Sequence, residues 1–281
     1  MIDEPDAARR GWFSGTDADD LEGAIVAITD GHAEQPADWP RIAVEAGYAD
    51  SKAAYYDRLH TASLEAARRE IREREQADDQ QLKHSVRAMD DCERVANELA
   101  ERIAEWAGSR RPDAGTGVSY ARELAETDDP DDAQLISLAR RVRDLDDEAA
   151  DLRAHVERTA PEVAPNLAAL AGAVLAARLI ALAGGLKQLA QKPSGTVQVL
   201  GAEEALFAHL RGHASSPKHG VIFTHEAIQG TQSQHRGSAA RALAGKLAIA
   251  ARIDYYSGER NFDLDEELRD RIETIQARDI Q

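Results

Sequence analysis

The chain has 281 residues, with 51 acidic and 34 basic side chains and a formal net charge of −17. This length accommodates one to three domains, and the single cysteine, Cys92, excludes an internal disulfide and any site built from two thiolates. Only six of the basic residues are lysine. This acidic, lysine-poor composition predicts a halophilic protein, because a dense carboxylate surface keeps a protein soluble in molar salt.

Charge is distributed unevenly along the chain. Residues 1–165 carry 39 acidic and 21 basic side chains, and residues 259–281 carry eight and four. Residues 166–258 instead carry nine basic and four acidic side chains, together with five of the nine histidines. A basic segment within an acidic chain indicates a polyanionic partner, and nucleic acid is the leading candidate.

We expect a soluble, cytoplasmic protein without a membrane segment. The acidic first residues lack the apolar core of a secretory signal. The longest apolar run, 172–185, is shorter than the ~20 residues of a spanning helix and is interrupted by Arg178.

The first predicted domain, residues 1–80, is small and of mixed α/β type. Trp12–Phe13 and Gly23–Ile28 have the apolar character of short strands, and a charged helix follows over 51–75. A patch of small and acidic residues, 77–79, marks the boundary to the next domain.

A coiled-coil hairpin is predicted over residues 81–163. One helix spans 82–106, and a second, over 133–160, carries an unbroken heptad seam. The seam positions are Leu135, Leu138, Val142, Leu145, Ala149, Leu152 and Val156. Because so narrow an apolar stripe needs one partner helix, we expect antiparallel pairing with 82–106.

Residues 164–258 are predicted to form a compact all-helical domain, because Ala, Gly and Leu lie on broad apolar faces over 167–182 and 239–253. The charged tail, 259–281, has a weak helical pattern and is expected to be partly disordered. The predicted fold class is therefore mainly α, with a small α/β N-terminal domain, an antiparallel coiled-coil hairpin and an all-helical C-terminal domain.

The sequence lacks the common catalytic signatures GxSxG, HExxH and GxxxxGK[ST]. Histidines at 209, 213, 219 and 225 suggest a metal site, yet no cysteine or suitably placed carboxylate completes a ligand set. We therefore predict no catalytic activity, no metal and no cofactor. Two alternatives stay open: an acidic coiled-coil adaptor that binds only protein, and an enzyme that uses the histidine cluster.

Residues of the basic segment have the properties of phosphate ligands. Gly201 and Ala202 open a helix, where free backbone N–H groups and the helix dipole favour an anion. Arg236 and Arg241, with Lys246 beyond them, line an edge that faces phosphate.

Two loop lysines, Lys192 and Lys218, border the same surface, whereas Arg252 is expected to snorkel or to pair with Asp254. The complete set of candidate RNA-binding residues is Lys192, Thr196, Gly201, Ala202, Lys218, Thr224, His235, Arg236, Arg241 and Lys246.

Three blocks carry a resemblance to a known family: 196–210 (TVQVLGAEEALFAHL), 216–223 (SPKHGVIF) and 235–254 (HRGSAARALAGKLAIAARID). They closely resemble the Nop domain, which defines the scaffold proteins of box C/D small ribonucleoproteins and a related spliceosomal protein; the nearest resemblance is to the archaeal scaffold proteins. The resemblance is strong over 166–255 and weaker over the helix 81–106. Residues 1–80 resemble a shortened form of the family's fibrillarin-binding domain.

The resemblance implies a non-catalytic scaffold. Such a protein binds the kink-turn of a box C/D guide RNA together with a small ribosomal-protein-like partner that folds the RNA first. The resemblance further implies a homodimer formed through the coiled coil, and recruitment of fibrillarin for 2′-O-methylation of ribosomal RNA and transfer RNA. Glu204 and Ala208 depart from the family, which usually has basic residues there, and fewer phosphate contacts predict a shallower dependence of affinity on salt.

Overall fold

The computed structural model describes residues 11–31 and 36–277, and its contacts divide the chain into two compact units between Ala77 and Asp78. Residues 1–10, where the absence of a secretory signal was expected, lie outside the described residues. The first unit contains α1 (Leu21–Asp30), α2 (Trp39–Glu45) and α3 (Lys52–Gln76). The second begins with α4 (Asp78–Gly108), α5 (Gly117–Ala125) and α6 (Ala133–Val163). It continues with α7 (Pro165–Ala171), α8 (Ala173–Ala183), α9 (Leu186–Ala190), α10 (Ser194–Val199), α11 (Glu203–Leu210), α12 (Glu226–Gln229), α13 (Arg236–Tyr256) and α14 (Asp263–Gln276).

The mainly α fold class is confirmed, but the strands predicted for the first domain are wrong, and the described residues contain no strand. Gly23–Ile28 lies inside α1, and Trp12–Phe13 lies in a turn. The side chain of Asp20 accepts a hydrogen bond from the backbone N–H of Gly23 and so caps α1. A short apolar run with β-branched residues suits a strand or a helix, and here the cap favours the helix.

An aromatic cluster forms the core of the first unit. Phe13, Tyr48 and Tyr55 are buried, and Trp12 packs against all three rings. The indole N–H of Trp12 donates to the hydroxyl of Tyr55 over 3.1 Å. Burial raises the pKa of Tyr48 and of Tyr55, so both hydroxyls stay neutral. The first unit therefore has a core of its own.

The predicted hairpin is confirmed, with α4 packed along α6. Both helices have 31 residues, and both extend beyond the bounds that the sequence indicated. The buried seam positions are Leu135, Val142, Ala149 and Val156, and the partly buried ones are Leu138, Leu145 and Leu152. α5, which the sequence analysis did not predict, packs on both long helices, and its Leu124 joins the same cluster as Ile103 of α4.

α13 is the central helix of the C-terminal bundle and packs against α7, α9, α10, α12 and α14. Leu243 and Leu247 on its inner face are 0% exposed. The buried carboxylate of Asp254 accepts hydrogen bonds from the backbone N–H groups of Asn166 (2.9 Å) and Leu167 (2.8 Å), and so caps α7 from a distance. Arg252, expected either to snorkel or to pair with Asp254, instead donates to the carbonyl oxygens of Ala190 (3.1 Å) and Lys192 (3.2 Å), so the pairing is wrong.

The prediction of a partly disordered tail is wrong for residues 263–276, which form α14. Its apolar residues recur every three or four positions, and this spacing places them on one buried face against α7 and α13. They are Leu264, Leu268, Ile272 and Ile275. Because charged residues dominate this segment, the sequence analysis did not recognise its complete apolar stripe.

Ion pairs join the hairpin to the bundle inside the second unit. The guanidinium of Arg178 in α8 donates to both carboxylate oxygens of Asp90 in α4, with distances of 2.5–3.2 Å. Arg87 of α4 donates to the carbonyl oxygen of Ala181 in α8 over 2.9 Å. Arg153 of α6 pairs with Glu93 of α4 over 2.5 Å and so joins the two helices of the hairpin to each other. The apolar core is also continuous from the hairpin into the bundle. These contacts fix the base of the hairpin to the bundle.

In the described part of the chain, no single helix has the length and apolarity needed to cross a bilayer. The sharply bent pair α7 and α8 satisfies the length and composition criteria only when both helices are counted together.

Candidate nucleic-acid interface

Lys218, His219, Phe223 and Arg236 lie together beside the start of α13, and we call them the basic–aromatic cluster. The ring of His219 stacks on that of Phe223 with centroids 4.3 Å apart, and the guanidinium of Arg236 lies 5.5 Å from the same ring. Arg236 also donates from Nε to the carbonyl oxygen of Thr231 over 3.1 Å. The side chain of Arg236 is thus held in place while its remaining N–H groups stay available to a ligand.

The titration of His219 is tuned by its place in the cluster. Burial lowers the pKa of its imidazole, and the positive charges of Arg236 and Lys218 lower it further. The ring is therefore neutral at pH 7 and stacks as an uncharged aromatic surface. A negatively charged ligand would oppose this shift.

Backbone hydrogen bonds hold the loop that carries Lys218 and His219. Gly220 donates to the carbonyl oxygen of Gln198 over 2.9 Å, and Val221 donates to that of Leu200 over 2.7 Å. A Cβ at Gly220 would lie 1.9 Å from the carbonyl oxygen of Leu200, so only glycine permits this approach. The side chain of Gln198 adds a bond of 2.7 Å to the carbonyl oxygen of Lys218. The loop is thereby fixed to the end of α10.

Three further candidate residues lie outside the basic–aromatic cluster. The carbonyl oxygen of Lys192, just before α10, accepts a bond of 3.2 Å from Arg252, which lies about 24 Å along α13 from Arg236. Thr196 is exposed on α10, and Thr224 is exposed at the end of a 3₁₀ turn, Val221–Thr224. The structure therefore does not gather these candidates at a single point.

The predicted anion site at Gly201 and Ala202 differs from the expectation, because its N–H groups are already bonded. Gly201 donates to the carboxylate of Glu203 over 2.9 Å, and Ala202 donates to the carbonyl oxygen of Val199 over 2.9 Å. Glu203 and Glu204 place two carboxylates in the first turn of α11. The carboxylate of Glu203 occupies the position that phosphate was expected to take.

Lys246 and Arg241 have different surroundings on α13. Lys246 forms an ion pair with Glu267 of α14, so its charge is compensated within the chain. Arg241 is exposed and faces a groove between α13 and α14. His235 lies at the first turn of α13, next to Arg236. Of the predicted residues, the structure thus brings Lys218, His235 and Arg236 together and directs Lys246 elsewhere.

The histidines that raised the possibility of a metal are separated. His225 accepts the backbone N–H of Ala227 at Nδ1 over 3.1 Å, and its Nε2 lies 2.8 Å from the carbonyl oxygen of Leu170, so both ring nitrogens are engaged within the chain. His209 bonds the carbonyl oxygen of Ala214 over 3.0 Å. Across 11–31 and 36–277, no three His, Cys, Asp or Glu side chains converge as metal ligands would.

α11 follows the segment that holds the interface loop, and the other described residues do not cover it. None of its eight residues is buried, and Phe207 and Leu210 are 60% and 70% exposed. Sequence reasoning missed this feature, because it treats apolar residues on a helix as core. The signal was local, because α11 has only eight residues and its first turn carries two carboxylates, Glu203 and Glu204.

Comparison with known proteins agrees with this architecture. Residues 80–277 match the model of a family described as "Nop: snoRNA binding domain, fibrillarin". A solved chain of similar fold comes from the crystal structure of a fibrillarin/NOP5P complex, with a TM-score of 0.55, 25% identity, and coverage of 95% of this chain and 98% of that one. The bundle, the hairpin and the family match together define a Nop-domain protein.

Within that class, the chain belongs to the Nop family that includes NOP5 and nucleolar proteins 56 and 58. It is 34% identical over 277 residues to an uncharacterized NOP5 family protein of Methanocaldococcus jannaschii, covering 85% of this chain and 67% of that protein. Nucleolar protein 58 of Schizosaccharomyces pombe is 31% identical over 64% of this chain, and human nucleolar protein 56 is 40% identical over 49%. The chain spans only 43% and 23% of these two eukaryotic relatives.

Proposed function

We propose that the protein is a non-catalytic, cytoplasmic scaffold of a box C/D guide ribonucleoprotein that works at high salt. It binds kink-turn RNA together with a small ribosomal-protein-like partner. It recruits fibrillarin, which methylates ribosomal and transfer RNA at 2′-hydroxyl groups. Family membership and the similarity to a NOP5P chain solved with fibrillarin support this proposal.

The basic–aromatic cluster supplies the contact to RNA. Arg236 presents a fixed guanidinium, a group that suits phosphate oxygens, and Lys218 adds a second positive charge. The stacked rings of His219 and Phe223 offer an aromatic surface to an unstacked base, as RNA loops and bulges present. Charge and stacking at one place are the chemistry that structured RNA requires.

The exposed apolar side chains of α11 supply the contact to the protein partner, and their exposure is the strongest observation in support of the proposal. Phe207 and Leu210 remain exposed, although a buried leucine or phenylalanine gains about 1.5–3 kcal/mol. Exposed apolar residues beside a basic surface suit a partner that brings its own apolar patch and lies against the same RNA. The acidic first turn of α11 is poorly suited to RNA itself.

The remaining parts of the chain hold the assembly together in this proposal. The hairpin forms a homodimer through side chains that its own fold leaves partly accessible, including Leu138 and Leu145 of the seam and Trp106, which is 41% exposed. The first unit, which lies outside the matched Nop region, binds fibrillarin. A dimeric scaffold would place two methyltransferases on the two guide elements of one RNA.

Reconstitution of guided 2′-O-methylation from purified components at molar salt tests the proposal. We expect methylation at the guided nucleotide when guide RNA, the ribosomal-protein-like partner, fibrillarin and this chain are all present. Omission of this chain should abolish it, and Arg236→Gln should reduce it in a protein that remains folded. Methylation without this chain would contradict the scaffold role. A chain that bound fibrillarin but did not bind the complex of guide RNA and partner would favour a protein-only adaptor.

A further inference from the structure

A groove of about 660 Å³ lies between α13 and α14, and none of its lining residues belongs to the basic–aromatic cluster. Arg241, Gly245 and Ile249 line its α13 side, and Asp270 and Arg271 line its α14 side. None of these residues is among the buried side chains by which α14 packs on the core, and Arg271 lies at the edge of that buried face.

Positive charge in the groove is only partly compensated. Arg241 and Arg271 form no hydrogen bond or ion pair with any residue in the described ranges, although both guanidinium groups border the groove. Lys246 pairs with Glu267, which leaves Asp270 as the one lining carboxylate without a cationic partner among the described residues. Two unpaired guanidinium groups against one such carboxylate favour an anionic occupant.

Gly245 keeps the floor of the groove open in the middle of α13. A glycine inside a helix costs about 1 kcal/mol relative to alanine. A Cβ at Gly245 would meet no described atom within 4 Å, so packing inside the chain does not require a glycine there. A ligand whose backbone approaches the helix closely would require a glycine at this position. Next to this opening, Ile249 is 41% exposed and offers an apolar contact.

The groove continues the line of the proposed RNA contact. Lys218 lies against Gly237, where its Cδ is 3.9 Å from the position of a Cβ. Gly237, Arg241, Gly245 and Ile249 follow at four-residue steps and so form one continuous row that winds gradually around α13. From Gly237 to Ile249 this row extends about 18 Å along the helix.

We propose that the groove between α13 and α14 binds a single-stranded segment of RNA adjacent to the segment held at the basic–aromatic cluster. Arg241 and Arg271 contact its phosphates, and Ile249 contacts a base or a sugar. The inference rests on the proposed RNA-binding function. Continuity with Lys218 favours RNA over an acidic protein segment as the occupant.

The test compares RNAs that differ only in single-stranded length. The full chain is titrated into labelled kink-turn RNA saturated with its ribosomal-protein-like binder, with and without an oligouridine extension at either end. We expect one extension to raise affinity at least about fivefold. Arg271→Gln should remove most of that gain. It should also lower the slope of log affinity against log salt concentration by about 0.7. The affinity of the unmodified chain relative to that of the variant should therefore fall about threefold between 0.2 and 1 M salt.

Matched variants separate the groove from general charge and folding effects. Arg269→Gln removes the same charge from α14 on the side that faces a different groove, and it should keep the gain from the extension. Gly245→Leu fills the groove with a better helix former, so the gain should be lost while the melting temperature is kept.

Equal affinity for extended and unextended RNA, or equal losses in Arg269→Gln and Arg271→Gln, would overturn the groove proposal and leave RNA binding at the cluster intact. Absence of binding to both RNAs would overturn the proposed function and the groove together. If Arg271→Gln weakened binding to the isolated protein partner and did not change the effect of the extension, the groove would be a protein site.

Discussion

α13 and α11 belong to the same compact unit but have opposite relations to the other described residues. Leu243 and Leu247 of α13 are 0% exposed, whereas Phe207 and Leu210 of α11 are 60% and 70% exposed. Folding of the chain therefore stabilises α13 through burial, and this gain is not available to α11 within the described structure. The difference indicates that α13 supports the bundle, while the apolar residues of α11 are available to another molecule.

The same substitution in the two helices should give the largest contrast. Leu243→Ala removes a fully buried side chain and should lower the free energy of unfolding by about 3 kcal/mol. Leu210→Ala removes an exposed one and should change it by less than about 0.5 kcal/mol. Urea titration of both variants at one salt concentration measures the effect. Similar losses in both would mean that α11 is packed in solution and would remove the contrast.

A smaller effect is expected at the ion pairs that join the hairpin to the bundle. Arg178 and Asp90 form a bidentate pair, and this hydrogen bonding raises the pKa of Arg178. A double-mutant cycle with Arg178→Met and Asp90→Asn should give a coupling energy of about 1 kcal/mol. The exposed pair of Arg94 with Glu98 is the matched control and should give a coupling energy of only a few tenths of a kcal/mol. Equal coupling in the two cycles would show that the junction is an ordinary surface contact.

The smallest effect concerns the charge of His219. Because its pKa in the folded chain is lowered, the unfolded chain binds more protons near pH 6, so the stability that this histidine contributes is lost as the pH falls below about 6.5. NMR titration should give a midpoint below 6.5 for His219, and Arg236→Gln should raise that midpoint. A midpoint at or above 6.5 in the unmodified chain would contradict the described environment of the ring.

The long-range features of the fold were predictable from the periodicity of apolar residues, whereas several local features were not. The heptad seam from Leu135 to Val156 predicted the hairpin, because a narrow stripe over three heptads has few other packing solutions. The run Gly23–Ile28 is too short for periodicity to distinguish a strand from a helix, and the cap at Asp20 favoured the helix. In α14, abundant charge concealed an apolar stripe that is complete in the structure.

The candidate site was predictable where residue type alone determines the chemistry. Arg236 and Lys218 were identified because fixed positive charges suit phosphate, and both lie in the basic–aromatic cluster. The stacking of His219 on Phe223 was missed, although the two residues are four positions apart. The bond from Gly201 to Glu203 also escaped prediction, because the sequence does not show that a nearby carboxylate reaches back to the helix start.

Affinity for a preformed RNA–protein complex, compared with affinity for either component, tests most directly whether α11 and the basic–aromatic cluster form one surface. The full chain is titrated into kink-turn RNA, into the ribosomal-protein-like partner, and into their complex at one salt concentration. We predict that the complex binds at least about tenfold more tightly than the RNA alone, a difference of about 1.4 kcal/mol. Leu210→Ala should lose this preference, and Arg236→Gln should weaken binding to both. Equal affinity of the unmodified chain for RNA and for the complex, or an unchanged preference in Leu210→Ala, would contradict a shared surface.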